Sequence, residues 1–134
     1  MTADQARDEM LAVFKTAWDT TGYAATYTDV PAVKPGSEVS WARVITRHET
    51  GGQTGFGASA AKKYTQTGSL FVQVFAPVGD GLTKAYELAQ TVLVAFSQAR
   101  GAVWYRKLKL REVGSDGSFE QINVIIDFTY DDQR

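Results

Sequence analysis

The chain has 134 residues, 44% hydrophobic and 22% charged, with 12 glycines and 3 prolines. That is the range of one ordinary globular domain, able to bury roughly two-thirds of the surface its unfolded form exposes. Fourteen Lys and Arg against fifteen Asp and Glu give a formal charge of −1, so no chain-wide field exists to hold a polyanion, and sequence-specific nucleic-acid recognition is not expected. Cysteine is absent, which excludes disulfides, thiol nucleophiles and thiolate metal sites and suits a reducing compartment such as the cytosol. The first residues read as neither a signal nor a transit peptide, and no apolar run approaches membrane-spanning length. No membrane partner is expected.

The spacing predicts an amphipathic helix over residues 4–21, where Ala6, Met10, Val13, Phe14, Ala17 and Trp18 recur at three- and four-residue steps. Thr2 and Gln5 form a candidate capping box, and Gly22 is the expected terminator. A loop holding Asp29, Pro31, Pro35 and Gly36 follows, with a short extended piece near Tyr27. A strand is predicted from Val39 to about His48, and a second over residues 64–76, where Leu70, Val72, Val74 and Ala76 alternate with Phe71, Gln73 and Phe75.

Pro77, Gly79 and Gly81 end that strand, and Asp80 stands where a helix cap belongs. Leu82, Ala85, Tyr86, Ala89, Val92, Leu93 and Phe96 then mark a second helix that Gly101 closes. A hairpin completes the chain. Trp104, Leu108 and Leu110 alternate with Tyr105, Lys107, Lys109 and Arg111, while Ile122, Val124, Ile126, Phe128 and Tyr130 alternate with polar neighbours, and Asp116-Gly117 is the turn. The expectation is a single α+β domain over residues 1–134. It has a mostly antiparallel sheet of about four strands with two helices on one face, in the order α-β-β-α-β-β.

Residues 50–63 are anomalous, because four glycines stand between strands that should pair. A flexible Gly-rich loop is expected there, either a loose hairpin tip or a segment that orders on assembly. Gly55, Gly57 and Ala60 match the spacing of a dinucleotide-binding turn, but no amphipathic helix follows them. Within this stretch Phe56 is the natural anchor for a partner, and Arg47, Lys62 and Lys63 at its base are candidates to pair with acids across a contact.

Catalytic chemistry is poorly supplied, and no cofactor is expected. His48 is the only imidazole and reads as a solvated edge residue at a strand end. Asp127, Asp131 and Asp132 suit either a solvated acidic tail or a divalent-cation site. Lys107, Lys109 and Arg111 share one strand parity, as a solvated sheet face, a nucleic-acid contact or a positive edge that meets a neighbour's Asp127, Asp131 and Asp132.

The opening helix, the passage Tyr27-Thr28-Asp29-Val30-Pro31, the strand Val39-Ser40-Trp41-Ala42-Arg43-Val44 and the Gly-rich insertion come in an order that resembles bacteriophage tail terminator proteins. The passage Leu70 to Pro77 into the second helix, and the closing hairpin, are similar to the same family. That resemblance implies a non-enzymatic subunit that assembles into a homo-hexameric ring, ends tail-tube polymerisation and joins tail to head. Its partners are then further copies of itself, tail-tube and head-completion proteins. It acts in the host cytoplasm during assembly and afterwards in the virion tail, or in the cytoplasm where a prophage encodes it. The alternative is a monomeric or dimeric α+β ligand-binding domain with a pocket lined by Trp18, Tyr86 or Trp104. A small enzyme with a carboxylate-bound metal is the third reading.

Overall fold

A computed structural model describes residues 1–27, 39–55, 63–115 and 117–133. The first helix, α1 (Ala3–Trp18), forms because Ala6, Met10, Phe14 and Trp18 fall on one line at four-residue steps, and all of them are buried. Its N-terminus is held as expected, with the Thr2 amide donating to Gln5 Oε1 at 3.0 Å. The Thr2 hydroxyl donates to Asp4 at 2.6 Å and keeps that carboxyl below its ordinary range. At the other end Thr20 and Thr21 return their hydroxyls to the carbonyls of Ala17 and Trp18. Gly22 follows at φ +75°, a left-handed turn that few side chains tolerate.

Five strands follow, in the sheet order β1-β2-β3-β5-β4: β1 (Ala24–Tyr27), β2 (Trp41–Gly55), β3 (Lys63–Pro77), β4 (Trp104–Ser115) and β5 (Phe119–Gln133). A 3-10 turn, Val78–Asp80, leads from β3 into α2 (Gly81–Gln98). The architecture is α+β, with one strand more than expected. Ala24–Tyr27 pairs in parallel with Trp41–Val44 and makes the sheet mixed. Four residues, two of them alanine, are too few to show an alternation in sequence.

A second correction concerns the Gly-rich stretch. β2 does not stop near His48 but continues to Gly55, and Thr50–Gly55 pair with Lys63–Thr67 across the hairpin, with register shifts at His48/Thr50 and Gln53/Gly55. Glycine carries no side chain to display a period of two, so backbone pairing against β3 extends the ladder where the pattern is silent. Residues 56–62 lie outside the described residues.

One core joins both helices to one face of the sheet. Ala42, Val44, Leu70, Val72, Val74, Ile122, Val124 and Ile126 meet Ala85, Leu88, Ala89, Val92 and Phe96 of α2 and the stripe of α1. Leu82 and Tyr86, expected in the α2 stripe, instead stand 40% and 36% exposed. The core uses the line through Ala85, Leu88, Ala89, Val92 and Phe96, while Leu82, in the first turn, lies at its margin and Tyr86 turns further toward the outer side. α1 is fastened to the distant chain by Glu9, whose carboxylate accepts from the amides of Ala102 at 3.2 Å and Val103 at 2.8 Å. A Cβ on Gly101 would stand 2.9 Å from that carboxylate, so a larger residue there would displace the Glu9 side chain.

Gly68 is the tightest point of the sheet. A Cβ there would overlap the Arg47 carbonyl oxygen and come within 2.6 Å of the Phe128 ring. Gly68→Ala is expected to cost about 3 kcal/mol by overpacking. Phe96→Ala and Ile126→Ala, at sites 1% and 0% exposed, should each cost about 2 to 5 kcal/mol through lost burial and a cavity. Urea denaturation of the three variants measures these losses.

Candidate interaction surface

Strand side chains alternate, so the sheet face turned away from the helices carries residues 41–47 of β2, 69–75 of β3, 121–127 of β5 and 107–111 of β4 at their odd positions. Read across the strands, it has four rows. At one end Trp41 and Phe75 stack with ring centroids 4.2 Å apart, and Phe119 closes against both edge-on. The Arg43 guanidinium sits 5.3 Å above the Trp41 ring. The next row runs Arg43, Gln73, Asn123, Arg111, and the row after it Ile45, Phe71, Ile125, Lys109. The fourth row runs Arg47, Ser69, Asp127, Lys107. There the Ser69 hydroxyl faces two carboxylates, Asp127 at 2.9 Å and Glu49 at 3.1 Å.

Polar atoms are buried on this face without partners. Trp41 Nε1, Gln73 Oε1 and Thr26 Oγ1, the last beside Arg43 in register, make no hydrogen bond. Each such group carries a desolvation cost of about 1 to 3 kcal/mol.

Of the residues singled out in the sequence, Arg47, Lys107, Lys109, Arg111 and Asp127 are thus brought onto one surface. Asp131 shares their parity but lies further along β5, where it accepts from the Thr65 hydroxyl at 3.0 Å. Asp132 points to the opposite face. These acids are not a solvated tail, because β5 runs through them to Gln133. Nor do they converge on a cation, and among the described residues no three His, Cys, Asp or Glu are grouped to hold a metal. Lys63 is placed at the start of β3, opposite Gly55, while Phe56 and Lys62 lie outside the described residues. Trp41, Arg43, Gln73 and Phe75 were not singled out, although the alternation Trp41, Arg43, Ile45, Arg47 already sets them on one side.

A register shift at Arg106 changes the reading of β4. Tyr105 pairs with Phe128 and Lys107 with Asp127, leaving Arg106 as the extra residue. Tyr105 therefore turns into the core with Leu108 and Leu110, where its ring meets Phe96 edge-on at 4.9 Å. Trp104, expected to share the core side, moves to the parity of Lys107, Lys109 and Arg111 and is 51% exposed. The Tyr105 hydroxyl is buried without a partner. Burial pushes its pKa up, and the Glu9 charge adds to the shift.

His48 is not at a strand end, and it has a partner. Although exposed, its Nε2 lies 2.7 Å from the hydroxyl of buried Tyr130, and its ring meets Phe128 and Tyr130 edge-on. The aromatics proposed for a ligand pocket also separate. Trp18 is core, with its indole donating to the Ala24 carbonyl at 3.1 Å, Tyr86 stands on the outer side of α2, and Trp104 is on the far face of the sheet. An open groove of about 460 Å³ between α1 and α2 is lined largely by Ala12, Val13, Ala17, Ala95 and Ala99. Among the described residues no helix is long and apolar enough to cross a membrane.

No protein-family model matches the chain, and no curated protein matches it. A solved structure whose name states no function is similar over 92% of this chain and 94% of its own, with 16% identity and a TM-score of 0.61. That likeness shows a shared fold. The type 4 fimbrial biogenesis protein PilO from Pseudomonas aeruginosa aligns over 100% of this chain and 73% of its own at 10% identity, but its TM-score of 0.41 carries no argument.

Tyr105→Phe removes a buried hydroxyl that has no partner, so it should leave stability at neutral pH unchanged or higher. The sign at alkaline pH follows from the raised pKa. Between about pH 10 and the higher folded value the unfolded chain loses this proton while the folded one keeps it, so stability falls as pH rises. Tyr27, also raised by burial, adds to the same loss. Denaturation midpoints from pH 8 to 11 should decline less steeply in Tyr105→Phe than in the parent.

Proposed function

We propose that the protein is a structural, ring-forming subunit of the bacteriophage tail terminator class, which ends tail-tube growth and joins tail to head. The observation that best supports it is that the sheet ends in two unlike edges. Among the described residues β4 has a neighbour only in β5, while β1 pairs with Trp41–Val44 and leaves β2 unpaired on that side from Ile45 onward. Contact between two different edges is heterologous, and a heterologous contact that closes makes a ring. The resemblance rests on the order helix, strand hairpin, helix, hairpin, which the folded chain keeps, apart from the added strand β1 between α1 and the first hairpin. The partners proposed are five further copies, a tail-tube protein and a head-completion protein, first in the host cytoplasm and then in the tail.

Native mass spectrometry and negative-stain microscopy across a concentration series, alone and with a tail-tube protein, give the test. Six-membered rings are expected. A monomer or a two-fold dimer under every condition would overturn the reading. Replacing residues 56–62 by Asn-Gly should leave the melting temperature unchanged, since the hairpin already pairs through Gly55 and Lys63, and should lower the fraction of rings.

A further inference from the structure

We infer that the open face of β4 is a binding track for single-stranded nucleic acid, held without sequence preference. The shift at Arg106 sets Trp104, Lys107, Lys109 and Arg111 in one line on the side away from the helices. All four are exposed, and at about 3.3 Å per residue the line is about 20 Å long. None of the three cations forms an ion pair among the described residues. Lys107 stands opposite Asp127, yet that carboxylate accepts from Ser69 instead. Arg47 and Arg43 extend the positive field across the sheet, with Glu49, Asp127 and Asp131 as acids on the same face.

An edge strand gains protection from lysines alone. Protection does not call for an indole 51% exposed at the head of the same line. An aromatic platform followed by evenly spaced cations matches a strand of nucleotides, with a base stacked on the ring and phosphates along the charges. An acidic protein surface would match the cations but leave the indole without a role. Duplex keeps its bases stacked on one another, so Trp104 has no free base to meet. The track concerns a local field, which a formal chain charge of −1 does not forbid, and it does not depend on ring formation.

Anisotropy titration of a fluorescent oligothymidine about 20 nucleotides long, against the full chain in about 50 mM salt, tests this. Saturable binding is expected, tighter than to a duplex of the same length or to polyglutamate. Trp104→Ala should weaken it about tenfold and Trp104→Phe should largely restore it, because stacking needs a ring rather than an indole. Lys107→Ala/Lys109→Ala/Arg111→Ala should reduce the slope of log affinity against log salt by about 2. Circular dichroism of each variant checks that the fold is kept. No saturable binding, equal or tighter binding of duplex or polyglutamate, or a folded triple variant with unchanged affinity and slope would each overturn the inference.

Discussion

β3 is hydrogen-bonded along its length on both sides, to β2 and to β5, and the rest of the molecule is arranged around that fact. A strand with two neighbours has to satisfy side chains on both faces. Its even positions from Leu70 to Ala76 meet the helices. Its odd positions meet whatever the sheet itself supplies. At Gly68 the constraint is tightest, because the backbone of β2 and the ring of Phe128 come too close for any side chain. Both helices spend their single apolar stripe on the same face, so no helix among the described residues covers the other.

The uncovered face answers with two different solutions at its two ends. Near β1, stacked Trp41 and Phe75 with Phe119 exclude water from one another, and Arg43 lies over them. Toward Arg47 and Lys107 the rows become charged and Ser69 gathers two carboxylates. Between the two lies the row Ile45, Phe71, Ile125, each half-buried. The hydrophobic end costs buried polar atoms without partners, and the charged end sets cations and carboxylates side by side on an open surface. Such a surface is more stable when something of complementary chemistry lies against it.

Much of this was legible from alternation. The helix stripes, the even-numbered core of β3 and β5, and the shared parity of Lys107, Lys109 and Arg111 follow from periods of 3.6 and 2. Three things were not, each for a physical reason. β1 is too short to show a period. The glycines from Gly51 to Gly55 carry no side chains, so their strand state is written only in the backbone hydrogen bonds they make with β3. The shift at Arg106 resets the parity of everything before it, and no residue type announces it. It exchanges Tyr105 and Trp104 between core and solvent, which alters the open face more than any other single feature. For His48 the pattern suggested a strand end, whereas β2 runs on past it, and its partner Tyr130 is 82 positions away, beyond the reach of any local rule.

The position of β5 has a consequence for the order of events on the ribosome. It comes last in sequence among the five described strands, yet it lies between β3 and β4 in the sheet. β4 is made earlier and has no neighbour but β5 among the described residues, so until β5 emerges its apolar side, Tyr105, Leu108 and Leu110, has no sheet to join. Its basic side is displayed throughout that interval. Closing the sheet therefore waits on long-range pairing, which is slow by nature. Like charges at Arg106, Lys107, Lys109 and Arg111 disfavour pairing between copies of this strand while its neighbour is missing.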